Sequence, residues 1–150
     1  MDKILVRNGL VITTLKKFSS EVLSIALGIF LLYVGLLHFI DSQWFVPIVP
    51  DILPGSPKFW VYLTGILELV CGSGFFIRKS RKIAGRTTSI FLIVLYWANI
   101  NMWINDIPMN GIILSNTGHV LRALAQIGMI IVAAYIGKCI PKSLLPRFIG

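Results

Sequence analysis

The sequence predicts an all-α polytopic membrane protein, a four-transmembrane-helix bundle, and three observations support this. The chain of 150 residues is 56% hydrophobic and only 13% charged, whereas soluble domains usually carry about 25% charged residues. Its apolar residues form four runs, each near the ~20 residues that cross a bilayer core of ~30 Å. Its basic residues are concentrated in the two terminal segments and in the connection between the second and third runs. Lipid offers the backbone no hydrogen bonds, so each run is expected to be helical.

The four runs cover roughly residues 22–40, 59–77, 87–104 and 118–137. We therefore expect a membrane domain at 22–137, preceded by a cytoplasmic amphipathic segment at 1–21 and followed by a basic tail at 138–150. Within the first segment, residues 4–18 are expected to form a short helix at the membrane interface. No small-residue cleavage site follows its apolar part, so a signal peptide is not predicted.

The distribution of charge predicts an orientation. Twelve of the fourteen Lys and Arg residues lie in the N-terminal segment, in the connection 78–86 or in the C-terminal tail. The positive-inside rule then places both termini in the cytoplasm, and we expect a bacterial inner membrane. The same pattern accounts for the net charge of +8 without nucleic acid as a partner, because a basic loop beside a span contacts anionic lipid headgroups.

Several kinds of chemistry have no signature in the sequence. Cys71 and Cys139 are far apart in apolar runs and form no C-x-x-C pair, so a disulfide framework is not indicated. His38 has no carboxylate or cysteine at ligand spacing, and no metal site is predicted. Nucleophile-elbow, P-loop and dinucleotide motifs are not found. Enzyme activity of this chain alone is therefore not indicated, and its ligand is unknown at this level.

The first connection away from the basic side is apolar and rich in proline. It reads HFIDSQWFVPIVPDILPGSP from His38 to Pro57, and its prolines forbid a regular helix. Such side chains would not stay in water, so the loop is expected either to anchor in the membrane interface or to cover a cavity as a lid. The residues assigned to this lid are Trp44, Phe45, Pro47, Pro50 and Pro54.

Polar side chains within apolar spans are the candidate site, because they usually face the interior of a membrane bundle. At 100° per residue, Glu68 and Arg122 each share a helix face with small residues, and their depths differ by roughly 7 Å. We expect them to form an ion pair, with one of the two Asn residues facing the same centre. The set is either a clasp that fixes helix register or a ligand pocket, and consists of His38, Glu68, Asn99, Asn101, Arg122 and Gln126.

Six short motifs follow one another between residues 25 and 136. They are GLLHF at 35–39, IVPDILP at 48–54, TGILE at 64–68, RKIA at 81–84, ANINM at 98–102 and RALAQ at 122–126. In this order they closely resemble the DoxX-like small membrane proteins. The resemblance implies a four-helix membrane bundle and singles out His38, Phe39, Pro50, Pro54, Glu68, Asn99, Arg122 and Gln126. Trp97 and Leu124 stand where that family often has proline.

The DoxX-like relatives differ widely in function, so the fold does not fix the activity. They include a subunit of a thiosulfate:quinone oxidoreductase, a membrane partner in oxidative-stress defence, and more distant cargo receptors and assembly chaperones. The first interpretation is a membrane-embedded binder of a quinone or isoprenoid lipid, coupled to an oxidoreductase. A non-catalytic partner or chaperone for another membrane protein is the alternative, and homo-oligomers are compatible with both. Transport is disfavoured because no broken-helix pair is seen.

Overall fold

A computed structural model describes residues 2–140, with side chains for Thr14 and from residue 17 onward, as an all-α bundle. The four helices are α1 (Asp2–Ile40), α2 (Pro57–Phe76), α3 (Arg81–Ile104) and α4 (Asn116–Ile136). Within the described residues, four segments are long and apolar enough to cross a membrane: Lys17–Ile40 of α1 and the whole of α2, α3 and α4. The predicted fold class is thereby confirmed.

Residues 4–18 are helical as expected, but they belong to a longer helix rather than to a short helix of their own. The helix α1 runs without interruption from Asp2 through the first span to Ile40. No proline and no glycine stand between Lys16 and Ile25, so nothing in the local sequence separates the two parts. Most of the predicted basic tail, at 141–150, lies outside the described residues.

The helices pack in two close pairs, α1 with α2 and α3 with α4, and glycine allows the close approach. A Cβ atom added at Gly65 of α2 would lie 2.7 Å from Cβ of His38 on α1. A Cβ atom added at Gly85 of α3 would lie 2.5 Å from the backbone nitrogen of Gly137, just after α4. Small residues are the usual means by which membrane helices bring their backbones together.

The apolar core lies in the half of the bundle nearest the short connection 77–80, which we call the basic end. Its buried members include Leu27 and Leu31 of α1, Phe75 of α2, and Ala133 and Ile136 of α4. Of the buried polar side chains, His38 and His119 lie near the opposite end, where residues 41–56 and 105–115 connect the helices, and Glu68 and Gln126 lie near the middle of α2 and α4. We call this opposite end the loop end.

Two compact connections form the loop end. Residues 42–48 fold as two short 3-10 helices, Ser42–Trp44 and Val46–Ile48. In the other connection, Met109 and Ile112 exchange two backbone hydrogen bonds of 3.0 Å around Asn110 and Gly111, which have φ angles of 52° and 75°. Asn-Gly with two positive φ angles is typical of a type I′ turn.

Candidate functional site

A cavity of about 600 Å³ occupies the loop-end half of the bundle. All four helices and the connection 41–56 line it, and most of its wall is aliphatic or aromatic. The polar side chains on the wall are few and come from all four helices. They are His38, Thr64, Glu68, Asn99, Arg122 and Gln126.

The cavity contains a buried carboxylate beside a histidine. Glu68 is 5% exposed and His38 is 6% exposed, and Nδ1 of His38 lies 3.2 Å from Oε2 of Glu68. The same Nδ1 lies 2.9 Å from the carbonyl oxygen of Val34, one turn earlier on α1. The ring of His38 stacks on Phe45 of the loop, with centroids 3.9 Å apart and an interplanar angle of 18°. This stacking joins the proline-rich loop to the wall of the cavity.

Oε2 of Glu68 is left without a hydrogen bond among the residues that the structure describes. Nδ1 of a histidine carries at most one proton, and the shorter of its two contacts is to Val34 rather than to the carboxylate. A buried acceptor without a donor costs free energy. The carboxylate is therefore the least satisfied polar group of the cavity wall.

A chain of hydrogen bonds joins α3 to α4 on the facing wall. Nε of Arg122 donates to Oδ1 of Asn99 at 2.9 Å, and the amide of Asn99 donates to Oε1 of Gln126. Gln126 in turn donates through Nε2 to the carbonyl oxygen of Leu92 at 2.8 Å. The guanidinium also contacts Sδ of Met109 through Nη1 at 3.1 Å. These bonds hold Arg122 in place at the cavity.

The predicted ion pair between Glu68 and Arg122 is wrong. Both side chains line the same cavity, but Glu68 lies beside His38 and Arg122 donates to Asn99. Helical spacing within one span gives the face on which a residue lies, but not the rotation of the neighbouring helices. In the bundle, α1 is rotated so that His38, rather than Arg122, lies beside the carboxylate of Glu68.

The other predicted site residues divide between the cavity and its surroundings. Asn99 lines the cavity, whereas Asn101 lies outside it and donates to the carbonyl oxygen of Ile48 at 3.4 Å. Of the residues assigned to the lid, Trp44, Phe45 and Pro50 line the cavity, and Pro47 and Pro54 do not. The carbonyl oxygen of Pro54 instead accepts a bond of 2.8 Å from Nε1 of Trp60.

Sequence reasoning missed one contributor to the site. Met109 reaches the cavity from the connection between α3 and α4, and the Asn110-Gly111 turn signal could have placed it there. The buried His119 is not on the cavity wall. It stacks on Trp103 with ring centroids 5.4 Å apart, and its Nε2 has no hydrogen bond within the described part of the chain.

On α2 and α3, three residues of the cavity wall are also exposed at the surface of the bundle. They are Val94 and Trp97 of α3, which are 63% and 49% exposed, and Leu67 of α2, which is 40% exposed. We call these three residues the rim. The rim lies within the candidate membrane spans of α2 and α3.

Residues 27–137 match a family described as a domain of unknown function, DUF8561. The chain belongs to this family. The DUF8561 region includes the three complete spans α2, α3 and α4, most of the span of α1, and every polar residue that lines the cavity. No curated protein and no solved structure matches the chain, and the match does not assign it to the DoxX-like proteins.

The DUF8561 cavity offers hydrogen bonds and charge rather than a metal cage. Among the residues that the structure describes, no three His, Cys, Asp or Glu side chains come close enough together to hold a metal ion. Cys71 is buried and its sulfur lies 3.6 Å from the hydroxyl of Thr87. The arrangement is thus suited to holding a small polar group at the end of an apolar body.

Proposed function

We propose that this small polytopic membrane protein binds a hydrophobic molecule with a small polar head, such as a quinone or an isoprenoid lipid. The observation that carries the proposal is the cavity of about 600 Å³ with an apolar wall and a few convergent polar groups. Ligand sites in proteins are typically of about 300–1,000 Å³ and have this kind of wall.

The exposure of the rim within the membrane spans supports a ligand that comes from the bilayer. A molecule dissolved in lipid reaches the rim formed by Leu67, Val94 and Trp97 without passing through water. Its tail then remains among apolar side chains while its head reaches Glu68 and Arg122. A water-soluble ligand would instead have to pass the apolar loop 41–56.

The proposal includes an orientation in the membrane. We place the loop end outside and the basic end, with both termini, in the cytoplasm of a bacterial cell. The positive-inside rule supports this orientation, because the basic connection 78–86 and the N-terminal Lys and Arg residues lie at the same end of the bundle. There the guanidinium of Arg78 donates to Glu21 at 2.7 Å, and Nη1 of Arg81 lies 3.6 Å from the same carboxylate. Exposed cations such as Lys79 and Lys82 remain for anionic headgroups.

The motif order that resembles DoxX-like proteins supports a link to redox enzymes of the membrane. On this proposal the chain holds a quinone or bound lipid for an oxidoreductase partner and does not itself carry out the chemistry. Its other partners would be membrane lipids and, in a homo-oligomer, further copies of the chain.

Mass spectrometry of compounds retained through mild purification tests this function. We expect one apolar compound to accompany the wild-type protein. Thr64→Phe, which fills the cavity from α2, should reduce its amount severalfold. Ser73→Phe places the same ring on an exposed part of α2 outside the cavity and should leave that amount unchanged. Equal retention by both variants, or no retained compound in the wild type, would contradict the proposal.

A further inference from the structure

The two charged walls of the cavity differ in how well their hydrogen bonds are satisfied. Arg122 is held by Asn99 and Met109, and the remaining N–H groups of its guanidinium are free to donate. Oε2 of Glu68, by contrast, has no hydrogen bond within the described residues and belongs to a residue that is 95% buried. One wall therefore offers donors, and the other offers an acceptor that needs a donor.

The charges that line the cavity balance. Among its described lining residues, Glu68 is the acid, Arg122 is a charged base, and His38 adds no charge in its neutral form. An ion bound between them would add an uncompensated charge in a medium of low dielectric constant, which is costly. A neutral head group avoids this cost, provided that it satisfies both walls.

We propose that the cavity selects a neutral head group that donates an O–H hydrogen bond to Oε2 of Glu68 and accepts one from Arg122 through oxygen. The head is thus a hydroxyl compound, either a phenol of the hydroquinone type or an aliphatic alcohol such as an isoprenoid alcohol. Its oxidised carbonyl form or its ether lacks the proton that the carboxylate requires. This inference rests on the proposed function and specifies the head of its ligand.

Matched pairs of probes test the requirement for a hydroxyl group. One pair is 2-decyl-1,4-hydroquinone and its dimethyl ether, and the other is farnesol and its methyl ether. Titration calorimetry of the purified full chain in micelles gives the dissociation constants, after subtraction of probe partitioning into empty micelles. We expect the hydroxyl form of one pair to bind about tenfold more tightly than its ether, since a hydrogen bond to an ion is lost in the ether. The pair that binds identifies the source of the hydroxyl group.

Variants of the two glutamates assign the preference to one carboxylate. Glu68→Leu removes the acceptor, and the hydroxyl form and the ether should then bind with nearly equal affinity. Glu21→Gln changes the other glutamate, which lies at the basic end beside Arg78, and should keep the tenfold preference. A preference that survives Glu68→Leu would overturn the assignment to Glu68.

The wild-type titrations alone keep the inference testable if Glu68→Leu fails to fold. Equal affinities of the hydroxyl forms and their ethers would overturn the inference while leaving the proposed binding of an apolar ligand intact. No binding by any of the four probes would contradict the proposed function itself, and with it the inference.

Discussion

At the scale of single residues, the site is organised by two separate polar groups rather than one. Glu68 lies beside His38, at 3.2 Å, and Arg122 belongs to the chain through Asn99 and Gln126. The separation leaves opposite charges on opposite walls of the cavity. Both side chains line the same cavity, and within the described residues each contacts its own neighbours rather than the other.

The separation predicts which substitutions are energetically coupled. Arg122→Gln and Asn99→Ala share a hydrogen bond, so together they should cost less than the sum of the single losses, by roughly 0.6–1.7 kcal/mol as for polar contacts within membrane bundles. Glu68→Gln and Arg122→Gln share no contact and should add within about 0.5 kcal/mol. Denaturant titration of the free energy of unfolding in micelles measures both cycles. Strong coupling between Glu68 and Arg122 would show that the two charges do interact.

At the scale of helices and loops, sequence reasoning predicted the positions of the spans well. Lipid requires continuous apolar helices of a narrow range of lengths, so composition alone gives their approximate bounds. It did not predict the continuity of α1 before Lys17, because an amphipathic segment can either lie on the membrane or extend a span. It also did not predict that His38 contacts Glu68, because that contact depends on the rotation of α1 against α2 at Gly65.

The close approach of α1 and α2 at Gly65 predicts a sensitive position. In Gly65→Ala the new Cβ would lie 2.7 Å from Cβ of His38 and 2.9 Å from the ring of Phe39, so α1 must move away. We expect the variant to lose about 1–3 kcal/mol of stability and to lower the melting temperature in micelles. Gly128→Ala is the matched control, since a Cβ there meets nothing within 4 Å and a helix gains about 0.5–1 kcal/mol from the exchange. Equal melting temperatures of the two variants would contradict the close packing.

The proline-rich loop predicts protection of the cavity from water. Phe45 stacks on His38, and Ile48 is 5% exposed against the bundle. Replacing Trp44, Phe45, Ile48 and Val49 with serine should therefore admit polar reagents to the cavity.

The readout is a cysteine at Thr64, which lines the cavity, in a protein without its two native cysteines. A water-soluble maleimide should label it at least tenfold faster once the loop is substituted. The labelling rate of a cysteine placed at the exposed Ser56 serves as the reference to which the rate at Thr64 is normalised. Unchanged labelling of a folded variant would assign the loop to membrane anchoring rather than to covering the cavity.

At the scale of the whole molecule, the sequence predicted a bundle with chemically different ends. Successive spans cross the membrane in opposite directions, so the sequence assigned the basic residues to one end of the bundle. The structure places the connection 77–80 opposite the connections 41–56 and 105–115. The sequence left a ligand pocket and a clasp as alternatives, because a cavity depends on how the pair α1–α2 stands against the pair α3–α4. Only its polar lining could be anticipated, because buried polar groups in membrane spans face protein.

The orientation of the whole molecule gives the last prediction. In the cysteine-free protein, single cysteines replace Ser80 in the basic connection and Ser56 in the loop before α2. Positive charge is retained on the cytoplasmic side, so the Ser56→Cys protein should be labelled in intact cells by a membrane-impermeant thiol reagent. The Ser80→Cys protein should be labelled only after the cells are opened, which also controls for reactivity of that thiol. Labelling of Ser80→Cys alone in intact cells would reverse the orientation, and the cavity would then open toward the cytoplasmic half of the bilayer.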